Sequence, residues 1–121
     1  MLPYRGSNRS GGALAWYFQR ISGGIIVLLF LAHFWVLHFT IGGEITYLKV
    51  AARLASPFWK TLDMIFLVLA LYHGFNGIYS IVVDYIDSDL WRNTIFGLLA
   101  FLGLILFILG ATSILPFAPK V

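Results

Sequence analysis

Four residues able to do chemistry, His73, Asn76, Ser80 and Asp84, stand in a stretch that is otherwise greasy, LYHGFNGIYSIVVDY. At about 100° per residue of α-helix, Asn76, Gly77, Ser80 and Asp84 fall within roughly 60° of the His73 direction. They form one polar and small stripe along an apolar rod. Such a stripe cannot face lipid without cost, so it must face protein, a cofactor or water. For Asn76 and Ser80 the simpler chemistry is hydrogen bonding across a helix contact, with Gly74 and Gly77 letting another backbone approach. A histidine at mid-depth points elsewhere. Neutral imidazole is a strong axial ligand for haem iron, and small neighbours leave room for a flat macrocycle. A proton relay would need a second ionisable group close by in this span, and none is near.

A second histidine, His33, lies in the middle of the first apolar run, on one face with Ser22 and Thr40. It reads equally as a ligand and as a packing residue. His38 points about 140° away and reads as interfacial. Arg20 sits where an arginine can snorkel to water, or where it can pair with the carboxylates of a bound cofactor. The Gly23-Gly24 pair beside it permits close helix packing. Asp84 and Tyr85 meet the interface, where a phenol either anchors the helix or donates to a carbonyl.

The elements that must hold these residues follow from hydropathy. The chain has 121 residues, 60% hydrophobic and 11% charged, with a mean hydropathy of +0.90. A soluble domain of that size needs far more polar surface. The predicted fold is an all-α membrane protein forming one anchor domain over 1–121, with spans at about 21–41, 61–83 and 93–115. About 20 residues at about 1.5 Å each cross about 30 Å of hydrocarbon. The first run is too long for a secretory signal core and lacks a small-residue cleavage site.

Residues 1–15 form an N-terminal segment, short and glycine-rich up to Gly12, with ALAWYFQR after it reading as an interfacial lead into the first span. Gly42 and Gly43 end that span. Between the first two spans EITYLKVAARL predicts a short amphipathic helix whose apolar side is Ile45, Leu48, Ala52 and Ala55. Ser56-Pro57 breaks the pattern before Phe58 and Trp59 anchor the second span. The tight DYIDSDLWRN connection makes spans two and three antiparallel neighbours. Span three has no charge within it and reads as a packing helix, with Gly103 and Gly110 on one face.

Arg5, Arg9, Arg20 and Arg92 fall on one side of the membrane and Lys49, Arg53, Lys60 and Lys120 on the other. That balance decides no orientation, although basic residues near the N-terminus favour keeping it cytoplasmic. The net charge of +3 calls for no nucleic acid. With no cysteine, disulfides and iron–sulfur ligation by this sequence are excluded. Three small helices bury too little polar surface to act alone, so a partner is expected.

The segment HGFNGIYSIVVDY, with Asp84-Tyr85 beginning eleven residues after His73, resembles the smaller hydrophobic membrane-anchor subunit of succinate:quinone oxidoreductase. QRISGG before span one and ASPFWKTLD before span two are similar to bacterial anchors of that group. The resemblance runs from Trp16 to the end of span three. It implies that His73 is the axial ligand of haem b, opposite a ligand from a sister cytochrome b anchor subunit. It implies further that Tyr85, with Asp84 beside it, hydrogen-bonds a quinone, that Arg20 lies near the haem propionates, and that His33 ligates a second haem in two-haem members. The sister subunit usually carries a histidine just before the matching arginine and a serine four residues ahead. Gln19 and Trp16 stand there instead, which fits the smaller anchor and leaves the serine to the sister.

The implied function is electron delivery from succinate to quinone in respiratory complex II. FAD and iron–sulfur clusters would belong to a flavoprotein and an iron–sulfur subunit, and no catalysis is expected of the isolated chain. The implied location is a bacterial inner membrane. Rival readings are an anchor of a fumarate reductase or other quinone-linked dehydrogenase, and a cofactor-free helical assembly subunit.

Overall fold

A computed structural model describes residues 12–40 and 42–118. Arg5, Arg9 and Lys120 lie outside the described residues, as does Ile41, where the first span was expected to end. Helix α1 (Gly12–Trp35) runs on through a π turn at Val36–Thr40. A short helix α2 (Tyr47–Ala55) follows, then α3 (Pro57–Tyr85) and α4 (Asp89–Ile114). Three helices are long and apolar enough to cross a membrane, with mean hydropathies of 2.0, 1.7 and 2.6.

All three start earlier than hydropathy suggested, and α1 takes in residues 12–15 of the expected N-terminal segment. Hydropathy stops at the first charge, whereas backbone hydrogen bonding continues through the interface. At 29 residues α3 is about 43 Å long, well over the hydrocarbon thickness.

The turns follow their residues. Gly42 and Gly43 adopt φ of 65° and 74°, a left-handed conformation that ends the first span as expected. Lys49 Nζ reaches back to the carbonyls of Gly42 and Glu44, at 2.5 and 3.1 Å, and folds that loop onto α2. Thr46 caps α2 by accepting from the Lys49 amide. Ser56 links α2 to α3, and Pro57 opens α3 where its missing N–H costs nothing. Residues 86–88 join α3 to α4. Arg92 closes that turn by donating to the Ile86 carbonyl and pairing with Asp89 at 3.1 Å.

The amphipathic helix is present, but its inner side differs from expectation. Leu54 is buried, whereas Leu48 is 72% exposed and Ala52 is exposed. An ion pair from Arg53 to α3 turns the Arg53–Leu54 side inward.

Helix α3 is the hub, packing against α1, α2 and α4. Gly103 and Gly110 provide the α3–α4 contact. A Cβ at Gly103 would meet the Phe75 ring at 3.2 Å, and one at Gly110 would meet Leu67 at 2.6 Å. Tyr79 and Phe96 add an edge-on ring pair at 5.3 Å. At the other end Lys60 Nζ donates to the Leu115 and Phe117 carbonyls, tying the start of α3 to the chain just past α4. Among the described residues the buried set is only Ser22, Leu54, Asp63, Val83 and Ala111. Large apolar side chains face outward instead, as lipid or a partner subunit requires.

Candidate functional site at the α1–α3 contact

The polar stripe of α3 meets α1 at Gln19, Ser22 and Gly23. Gln19 spans the contact. Its side-chain Nε2 donates to the His73 carbonyl at 3.0 Å, and its Oε1 accepts from Asn76 Nδ2 at 2.7 Å. Gly77 makes room, since a Cβ there would lie 3.1 Å from the Gln19 amide nitrogen. The His73 ring rests on Gly23, where a Cβ would fall 2.9 Å from Cε1. His73 Nδ1 lies 3.1 Å from both the Gln19 carbonyl oxygen and Ser22 Oγ. Its Nε2 has no hydrogen-bond partner among the described residues.

Beside this contact opens a cavity of about 580 Å³, lined by Trp16, Arg20, Gly23, His73, Ser80 and Asp84 among others. The Arg20 guanidinium stacks over Trp16 at 4.2 Å from the ring centroid, leaving its charge exposed at the cavity rim. Five of the residues singled out in the sequence, Arg20, His73, Asn76, Ser80 and Asp84, thus line one cavity. Tyr85 does not line it. It is the last residue of α3 and 85% exposed. Ser80 returns its hydroxyl to the Asn76 carbonyl, while Asn76 bridges helices as its type suggested. Of the glycines expected to pack, Gly23 and Gly77 do so, whereas Gly24 and Gly74 meet nothing within 4 Å.

His33 occupies the same helix contact, roughly 16 Å further along α1 from Ser22. Its Nδ1 lies 3.3 Å from Asp63 Oδ1, and its ring tilts against Phe66 at 5.7 Å. Asp63, itself 8% exposed, also holds Arg53 through Oδ2 at 2.5 Å and Oδ1 at 3.4 Å. Sequence reasoning missed Asp63, Arg53 and Gln19 as site residues. The available signal was a lone acid inside a span together with a lone arginine ten residues earlier on the amphipathic helix. Neither charge is tolerable inside without the other. His38 is exposed, its ring 4.3 Å from Phe34, in keeping with an interfacial place.

The donor set fits a haem. An imidazole hydrogen-bonded among the described residues only at Nδ1 leaves Nε2 open to a metal, a cavity adjoins it, and the guanidinium at the rim suits carboxylates.

Three apolar helices joined by a polar seam define a multi-pass membrane protein built to assemble with others. Over residues 4–112 the chain matches the succinate dehydrogenase/fumarate reductase transmembrane subunit family, and it belongs to that family. Several relatives are named succinate dehydrogenase hydrophobic membrane anchor subunit. That of Archaeoglobus fulgidus is 39% identical over 71 residues, 59% of this chain and 61% of the relative. That of Thermoplasma acidophilum is 30% identical over 74 residues, 60% of each. That of Rickettsia conorii is 30% identical over 92 residues, 74% of this chain and 70% of the relative. The chain spans about three fifths of the length of the first two.

Proposed function

We propose that the chain is the smaller membrane anchor of a succinate dehydrogenase, holding haem b through His73 and forming part of a quinone-reduction site. The observation that carries this reading is the free Nε2 of His73 on a cavity shared with Arg20 and Asp84. Haem b, when bound, would supply a one-electron store. Arg20 would hold its carboxylates by charge-assisted hydrogen bonds. Asn76 and Gln19 keep α1 and α3 in register so that the imidazole does not swing.

Quinone is the substrate, taking two electrons and two protons. The Tyr85 phenol, free at the α3 terminus, donates a hydrogen bond to a quinone carbonyl. Asp84, exposed on the next position, offers a carboxylate through which protons reach the site from the aqueous face. A flavoprotein with FAD and an iron–sulfur subunit supply the electrons, docking where α3 turns into α4. A sister cytochrome b anchor would supply a further haem ligand and cover the outward faces. The α1 N-terminus and the α3–α4 turn lie on the cytoplasmic side of a bacterial inner membrane. At the opposite level, His33 keeps Nε2 available for the second haem that two-haem members of the family carry.

Purified complex carrying His73→Ala tests the reading. Loss of the reduced b-type bands, with all subunits still assembled, is the expected result. Unchanged haem content overturns the ligand assignment, and a wild-type complex without b-type bands favours the cofactor-free alternative, in which these residues only join helices. Bands that return on adding succinate to wild-type complex separate a succinate dehydrogenase from an anchor of another quinone-linked enzyme.

A further inference from the structure

Three polar atoms at the α1–α3 contact form a triangle: His73 Nδ1, the Gln19 carbonyl oxygen and Ser22 Oγ, each 3.1 Å from the other two. For a neutral ring, their proton inventory selects the tautomer. A carbonyl oxygen only accepts, a serine hydroxyl brings one proton, and neutral imidazole brings one N–H on either nitrogen. With that proton on Nε2, Nδ1 would set a bare lone pair against the lone pairs of the Gln19 carbonyl. One hydroxyl proton would then have to serve two acceptors. With the proton on Nδ1, the ring N–H donates to the carbonyl or to Ser22 Oγ, and the hydroxyl donates to the carbonyl. Every group is then satisfied. The triangle therefore selects the Nδ1–H tautomer and leaves the lone pair on Nε2.

The carbonyl in question is itself fixed from α3. The Gln19 amide donates to the His73 carbonyl at 3.0 Å and accepts from Asn76 at 2.7 Å, so it grips α3 at the histidine and one turn beyond. Gly77 gives that amide its place, and Gly23 gives the ring its seat. The orientation of the imidazole is thus written largely on α1, although α3 carries the residue.

We propose that Gln19 and Ser22 are positioning residues for His73, locking its ring as the Nδ1–H tautomer and aiming Nε2 into the cavity. The inference deepens the haem-ligand reading above and rests on it for its consequence, although the tautomer itself does not require haem. A hydrogen bond at the far nitrogen fixes the tautomer and orientation of a metal-binding histidine and adjusts its basicity. Disturbing it should therefore alter the iron's spectrum more than its retention.

The test uses the purified complex with Ser22→Ala, Ser22→Thr and Gln19→Leu, variants that keep His73, the last of them freeing the Gln19 carbonyl from its tie to α3. The first readout is the ¹⁵N spectrum of histidine-labelled, haem-deficient complex, the His73 signal being assigned by its loss in His73→Ala. The expected result is an Nδ1–H signal in wild type and Ser22→Thr, and a mixture of tautomers in Gln19→Leu. The second readout, on haem-loaded complex, is the midpoint potential and the low-spin iron g-values. Both are expected to shift in Ser22→Ala and Gln19→Leu with most haem retained, and to return to wild type in Ser22→Thr. An Nε2–H signal in wild type overturns the inference. So do unchanged potential and g-values in both Ser22→Ala and Gln19→Leu. A wild-type complex that holds no haem, yet shows the Nδ1–H signal, would instead sink the ligand reading and leave the positioning intact.

Discussion

Arg53 and Asp63 meet at 2.5 Å with both side chains less than a tenth exposed, and the same carboxylate reaches His33 at 3.3 Å. One acid thereby ties α2, α3 and α1 together on the side away from the cavity. Removing one member of such a buried pair leaves the other charge uncompensated, which typically costs about 3–5 kcal/mol. Asp63→Asn is expected to destabilise the assembled complex by that order, read as a shortened half-life during thermal inactivation in detergent. Replacing both partners, as in Arg53→Met with Asp63→Leu, should recover much of the loss. Equal loss in the single and double variants would show that the pair contributes nothing.

His33 donates a single hydrogen bond to the Asp63 carboxylate, so His33→Asn should cost less than breaking the ion pair, about 1.5–3 kcal/mol. Haem counted per complex checks its other role. Two haems falling to one in His33→Asn is the outcome expected of a two-haem member of the family. An unchanged count leaves His33 as a structural partner of Asp63.

At the α3–α4 contact, Gly110→Val should strain the helix pair, because a Cβ there would lie 2.6 Å from Leu67. Overpacking of this kind costs about 1–3 kcal/mol. Leu67→Ala in the same chain should relieve it, whereas Gly24→Ala, with nothing within 4 Å, should leave assembly unchanged. Subunit recovery after solubilisation measures all three.

Tyr85 is so exposed that Tyr85→Phe should not affect stability. If its hydroxyl bonds quinone, losing one hydrogen bond worth about 0.5–1.5 kcal/mol should raise KM for quinone roughly 2- to 12-fold. Succinate-dependent quinone reduction over a range of quinone concentrations reads this directly, and an unaltered KM would make the phenol an anchor only.

Lys60→Met should release the Leu115 and Phe117 carbonyls at the end of α4. Faster exchange of the Leu115, Phe117 and Ala118 amides, with exchange in mid-α4 unaltered, is the expected pattern.

The spans, the connecting helix and the polar stripe of α3 were legible because each is a property of one segment: apolar run length, a glycine stop, a 3.6-residue repeat. Residues that act through a pairing were harder to see. Gln19 read only as a departure from a family pattern, and its amide bridge to His73 and Asn76 emerges once α1 lies against α3. Asp63 drew no notice because one acid near a helix end is ordinary until an arginine from another helix is found beside it. The inner side of α2 was misassigned for the same reason. Apolar periodicity ranked Leu48, but the Arg53 ion pair outweighs it and sets the rotation.

The two polar ties between α1 and α3, one at Gln19–Ser22 and one at His33, sit eleven residues apart from Ser22 to His33, close to three full turns. That spacing keys the helices in phase, so α1 can neither roll nor slide without breaking both at once. Adding a single residue between them would rotate one key about 100° away from its lock.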